Sequence, residues 1–168
     1  MNMINLCNRS IVSIDAGASL QQAASLMRSE HVGALVVTTG GVDQPHAVGL
    51  VTDRDLTIEA MACQLDPEET VIGDIASREL VVVSADSGIA DALTVMAAAG
   101  VRRILVTESD RRVVGMVSFD DLVAVLADEM SNMVKCLQKG TEREVRERNT
   151  FLPLQPPLLI ALNTPGMA

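Results

Sequence analysis

Two stretches of this sequence are copies of one another, and that internal repeat restricts the fold more than any single motif. Ser19–Met27 (SLQQAASLM) aligns with Gly88–Met96 (GIADALTVM), and His31–Val37 (HVGALVV) with Gly100–Val106 (GVRRILV), both displaced by 69 residues. Val48–Thr52 (VGLVT) aligns with Val114–Ser118 (VGMVS), displaced by 66. The difference falls in the intervening loop, where a change of length costs little closure entropy.

Each copy runs through the same order of hydrophobic periods. Ile11 to Ile14 and Leu80 to Val83 are short strand candidates. After them Leu20, Ala23, Ala24 and Met27, and likewise Ile89, Ala92, Leu93 and Met96, form helical stripes, the first capped by Ser19 with Gln22. Two β-branched runs follow in each copy, Ala34 to Val37 with Val48 to Thr52, and Arg103 to Val106 with Val113 to Ser118, joined by loops that suit hairpins. Second helices start near Leu56 and Leu122. The strands are almost continuously apolar, which requires cover on both faces.

The expected fold class is therefore α/β (α+β), with two pseudo-symmetric βαββα units packed through their sheets. The boundaries read as 5–65 for the first repeat, 66–75 for a linker, 76–130 for the second repeat, 131–150 for a helical extension and 151–168 for a flexible tail. Each unit alone is close to the size at which a single core becomes marginal, so the halves should pack on each other. Met130, Met133, Val134 and Leu137 carry an apolar stripe beyond the second repeat, and Thr141 to Glu144 reads as the cap of a further charged turn.

Charge and composition narrow the function. The formal charge of −9 with no offsetting basic run disfavours nucleic acid. No basic segment precedes an apolar one at the N-terminus, and Leu158 to Leu162 is too short to span a bilayer, so the expectation is a cytoplasmic protein without a membrane partner. Phe119 and Phe151 are the only aromatic residues, which excludes aromatic cages. Cys7, Cys63 and Cys136 suit reduced thiols better than disulfides or zinc.

The doubled segments Gly49–Leu56 (GLVTDRDL) and Gly115–Leu122 (GMVSFDDL), with Gly100–Arg103 (GVRR) ahead of the second, resemble a tandem pair of cystathionine-beta-synthase-type (CBS) repeats, a Bateman module. The resemblance covers roughly residues 5 to 130. It implies clefts between the sheets that in many members take adenosine-containing ligands, and pairing into flat dimers. The chain departs from the usual pattern before the first helix of each repeat, where Ala16-Gly17 and Ala85-Asp86 replace Pro-Asp, and at Phe119, which stands where the first copy has Asp53.

The candidate nucleotide-binding residues are Thr52, Asp55, Arg102, Arg103, Ser118 and Asp121. Where a strand ends at Thr52 or Ser118, a hydroxyl, free N–H groups and the carboxylate of Asp55 or Asp121 converge at a helix start. Hydroxyl and N–H groups suit phosphate, and a carboxylate suits ribose hydroxyls. The same spacing is an ordinary capping box, and the two roles can coexist. Arg102 and Arg103 point alternately, so one should face a cleft as a phosphate cation and the other solvent. The first copy has Gly33 and Ala34 at those positions, which makes the two clefts unequal.

His31 sits at a helix end, and His46 lies in a loop without a partner in sequence. Asp53, Asp55, Asp120 and Asp121 read as solvated helix starts rather than a Mg²⁺ cage. No nucleophile elbow, phosphate loop, zinc helix or C-x-x-C pair is present. The expectation is a regulatory module and not an enzyme, requiring no cofactor and taking AMP, ADP or ATP as ligand, with a second copy of itself and a separate regulated protein as partners. The competing reading is a ligand-independent dimerisation and interaction module using the C-terminal helix and tail.

Overall fold

The computed structural model describes residues 1–41, 45–77 and 79–148. Residues Met1–Val125 form one compact unit and a second begins at Leu126. The elements in chain order are α1 (Met3–Leu6), β1 (Ser13–Asp15), α2 (Leu20–Glu30), β2 (Ala34–Thr39), β3 (His46–Thr52), α3 (Asp53–Ala62), α4 (Ile72–Ile75), β4 (Val82–Ser84), α5 (Ile89–Ala99), β5 (Arg103–Thr107), β6 (Val113–Ser118) and α6 (Phe119–Arg148). The flexible tail expected over 151–168 lies outside the described residues, as do the last two residues of the expected extension.

Two three-stranded sheets, β1-β2-β3 and β4-β5-β6, carry the repeat into space. In each, the first strand pairs parallel with the second and the second pairs antiparallel with the third. The expected βαββα order is therefore present twice, with the first strands displaced one to two residues along the chain from Ile11–Ile14 and Leu80–Val83. Ala34 to Val37 are buried in succession, as strands covered on both faces require.

The helix ends follow from local chemistry. Ser19 Oγ accepts the Gln22 N–H at 3.2 Å while Gln22 Oε1 accepts the Ser19 N–H at 2.9 Å, the reciprocal cap read from the sequence. In α5 the equivalent residue is Gly88, so only the return bond remains, Gly88 N–H to Asp91 Oδ2 at 3.0 Å. Both helices end on a left-handed residue, His31 at φ 56° and Gly100 at φ 66°.

Two short helices exchange places. Met3 of α1 is fully buried with Val83, Ala92, Met96, Ile104 and Leu122, all from the second repeat. Ile72 of α4 is fully buried with Ile14, Leu20, Ala23, Leu35 and Val51 of the first. The backbone bonds match: Met3 and Ile4 donate to Ser87 and Ala85, and Ile72 and Gly73 donate to Ala18 and Ala16. Each repeat thus completes its core with a helix that lies ahead of the other repeat in the chain. The segment read as a linker supplies part of a core, because Ile72 and Ile75 present an apolar edge one helical turn apart.

The segments after these helices run against the outer strands. Asn8 bridges Met116 and Ser77 bridges Leu50, both antiparallel. A Cβ on Gly49 would stand 2.7 Å from the Ser77 carbonyl oxygen, so glycine is needed there for close backbone approach. Gly115 plays the same part beside Cys7.

α6 is unbroken from Phe119 to Arg148. Thr141 does not cap a separate turn: its hydroxyl donates to the Leu137 carbonyl at 3.1 Å inside the helix. Among the described residues no helix is long and apolar enough to cross a membrane.

Candidate functional site

A cavity of about 630 Å³ lies within the first unit, and both repeats line it. The first repeat supplies Thr52, Asp53 and Asp55 from the β3–α3 junction, and the second supplies Arg102 and Arg103 at the head of β5. Leu50, Leu80, Val81, Ile104 and Met116 give it apolar wall. A volume of this order accommodates a small organic ligand.

The β3–α3 junction is tightly organised. Asp55 Oδ2 accepts the Thr52 N–H at 2.9 Å and the Thr52 hydroxyl at 2.7 Å, and the Asp55 N–H returns to Thr52 Oγ1 at 3.3 Å. The capping role read beside the binding role is therefore present. Its consequence for a ligand is specific: the Thr52 proton is already committed, while Asp55 Oδ1 has no hydrogen-bond partner among the described residues. Asp53 Oδ1 accepts the neighbouring Arg54 N–H at 2.8 Å.

Ser118 and Asp121 form the same box at 2.8, 2.6 and 3.1 Å. They do not line this cavity. Thr52, Asp55, Arg102 and Arg103 thus line one cavity, whereas Ser118, the register partner of Arg103 across β5 and β6, and Asp121 do not line it. Asp53 donates its N–H to the Gly33 carbonyl and Phe119 to the Arg102 carbonyl, so each junction is anchored to its own repeat.

Of the arginine pair expected to divide between cleft and solvent, both line the cavity, Arg103 half-buried and Arg102 exposed. Strand alternation does not govern Arg102 because β5 starts only at Arg103. Among the described residues neither guanidinium has a carboxylate within 4.0 Å. Arg103 reaches across to the first repeat, with Nη2 3.6 Å and Asp53 Oδ2 3.2 Å from the point a Cβ on Gly33 would occupy. The glycine at the position equivalent to Arg102 therefore clears the space where the two repeats meet.

Ser77 and Glu79 also line the cavity and were not singled out in the sequence. The signal was the 69-residue displacement continued backwards, which makes Ser77 the counterpart of Asn8. His31 is exposed at the end of α2, with Nδ1 3.1 Å from the Ser29 carbonyl oxygen, and does not line the cavity. Among the described residues no group of three or more His, Cys, Asp or Glu is placed to hold a metal ion.

The family model for the CBS domain matches residues 4–61 and again 72–128. The chain belongs to the CBS-domain family. Its two matches are the two repeats, and each begins with one of the exchanged helices, so the CBS unit is continuous in sequence while its core is completed from the other copy.

Hypoxic response protein 1 of Mycobacterium tuberculosis (strain ATCC 25618 / H37Rv) is 33% identical over 124 residues, covering 74% of this chain and 84% of that protein. CBS domain-containing protein YhcV of Bacillus subtilis (strain 168) is 31% identical over 122 residues, covering 73% and 81%. Among solved structures, Hypoxic Response Protein I with two coordinated zinc ions superposes with a TM-score of 0.61 at 31% identity, over 74% of this chain and 98% of that one. A protein from Pyrococcus horikoshii shares the fold at a TM-score of 0.67 and 23% identity, over 74% and 90%. CBS pairs of this kind are generally regulatory.

Proposed function

We propose that this CBS pair is a regulatory sensor that binds an adenine nucleotide, AMP, ADP or ATP, in the cavity between its repeats and signals to a separate protein. The observation that carries the reading is that Arg102 and Arg103, which pair with no carboxylate among the described residues, line one cavity with Asp55, whose Oδ1 has no hydrogen-bond partner among those residues. Guanidinium forks match phosphate oxygens, and a carboxylate oxygen accepts from ribose hydroxyls. Leu80, Val81, Ile104 and Met116 offer surface to a base without an aromatic ring.

In this reading the protein is not an enzyme and needs no cofactor; it acts as a cytoplasmic homodimer. Because the lining comes from both repeats, a ligand favours the packing of the repeats that brings Asp55 and Arg103 to it. The cavity is mixed in charge, with Asp53, Asp55 and Glu79 against Arg54, Arg102 and Arg103. A magnesium-free polyphosphate therefore meets repulsion from the acids, and AMP less of it.

Calorimetric titration of the purified protein with AMP, ADP and ATP tests the reading. Saturable binding that Asp55→Ala weakens and Asp121→Ala leaves unchanged supports it. No binding of any of the three to ligand-stripped protein overturns it and favours the ligand-independent interaction module.

A further inference from the structure

On α6, Phe119, Val123, Leu126, Met130, Met133 and Leu137 follow one another at alternating steps of four and three residues. That is a 3.5-residue repeat, the spacing that keeps one apolar seam facing a second helix along its length. All six side chains are exposed, Met130 at 67%, Met133 at 64% and Leu137 at 73% of their free surface. The core-facing residue of the helix start, Leu122, is a different one and is fully buried. The seam is therefore not the residue of α6 that holds the CBS core together.

The charges beside the seam are segregated. From Phe119 to Val134 the helix carries Asp120, Asp121, Asp128 and Glu129 and no basic residue. From Lys135 to Arg148 it carries Lys135, Lys139, Arg143, Arg146 and Arg148 against Glu142, Glu144 and Glu147. The helix dipole favours acids at the start and bases at the end, but its effect fades within the first and last turns. Asp128, Glu129, Lys135 and Lys139 lie in the middle turns, beyond its reach. A second copy laid antiparallel sets the acidic half of each helix against the basic half of the other, whereas a parallel copy sets like against like.

We propose that the α6 seam is a self-association surface on which two copies of this chain pair antiparallel, Met130 opposite the second copy's Met133 and Leu126 opposite its Leu137. The pairing deepens the homodimer of the proposed function and does not depend on nucleotide, so calorimetry tests the one and an inter-copy distance tests the other. Its two-fold axis falls between Ser131 and Asn132. Residues near the axis meet their own counterparts, and residues towards Arg148 lie far from theirs.

The full-length chain with Cys7, Cys63 and Cys136 replaced by serine, spin-labelled singly at Asn132→Cys or Glu142→Cys, separates the outcomes by pulsed electron resonance. A short inter-copy distance at 132 and one near ~30 Å at 142, from the rise per residue of the helix, is expected. Met130→Glu with Met133→Glu, which alters only exposed positions, should abolish the short distance while circular dichroism stays unchanged. Short distances at both positions overturn the antiparallel pairing. Absence of any inter-copy distance overturns the surface itself, including the case where one appears only after residues 149–168 are removed, which assigns the seam to the chain's own C-terminal segment.

Discussion

The backbone N–H of Met3 donates to the carbonyl of Ser87 at 2.9 Å, tying the first helix of the chain to the turn before α5. Ile72 repeats the relation with Ala18 at 2.8 Å. Each bond anchors a side chain that is fully buried in the opposite repeat's core. Because the core is close-packed, truncating either leaves a cavity that its neighbours fill only in part.

Met3→Ala and Ile72→Ala should each lower stability by about 2–4 kcal/mol. The chain has no Trp or Tyr, so urea unfolding is followed by far-ultraviolet circular dichroism. Hydrogen exchange then distinguishes the two: Met3→Ala should speed exchange in β4–β6 and Ile72→Ala in β1–β3. The reverse assignment would refute the exchange of helices between repeats.

The two strand-to-helix junctions are near copies, with Thr52 and Ser118 each holding a carboxylate through both N–H and hydroxyl. Thr52→Ala and Ser118→Ala should each cost about 1 kcal/mol, the ordinary value of an N-cap side chain. Only Thr52→Ala should also alter nucleotide affinity, since Ser118 does not line the cavity. Equal effects on affinity would show that the junctions serve a common site.

The repeat made the double βαββα order, the Ser19 cap and the doubled capping boxes readable, because these depend on residues a few positions apart. The exchange of α1 and α4 was not readable in the same way. A four-residue apolar pair such as Met3 with Leu6 states that it wants burial and not which core will bury it. Likewise the sequence named Thr52, Asp55, Ser118, Asp121, Arg102 and Arg103 together and, finding no counterpart of the arginine pair in the first repeat, did not say which junction shares a cleft with the two arginines. The structure groups them with the first repeat's junction, and only the packing of one sheet on the other decides that.

His31 and Gly100 end α2 and α5 in the same left-handed conformation, but only glycine adopts it without a clash of its Cβ. His31→Gly should therefore stabilise the protein by about 0.5–1 kcal/mol, offset in part by the greater freedom of the unfolded chain. Gly100→Ala should destabilise it by about 1 kcal/mol. Nothing lies within 4 Å of a Cβ added at Gly100, so that loss measures backbone strain alone. Thermal melts of the two variants should move in opposite directions, and a shift of the same sign would contradict the local geometry.

Arg103 is half-buried, lies beside Asp53 where the repeats meet and has no carboxylate partner among the described residues. An arginine in the cavity lining that makes no hydrogen bond or ion pair among the described residues keeps its donors for a ligand anion. Arg103→Gln should then weaken AMP binding by roughly 10-fold or more, as expected when one charge-assisted hydrogen bond is lost. Adenosine, which offers no phosphate, should bind the variant and the parent alike, and raising the salt concentration should weaken AMP binding more in the parent. Equal losses for AMP and adenosine would mean that Arg103 shapes the cavity wall and does not meet the phosphate.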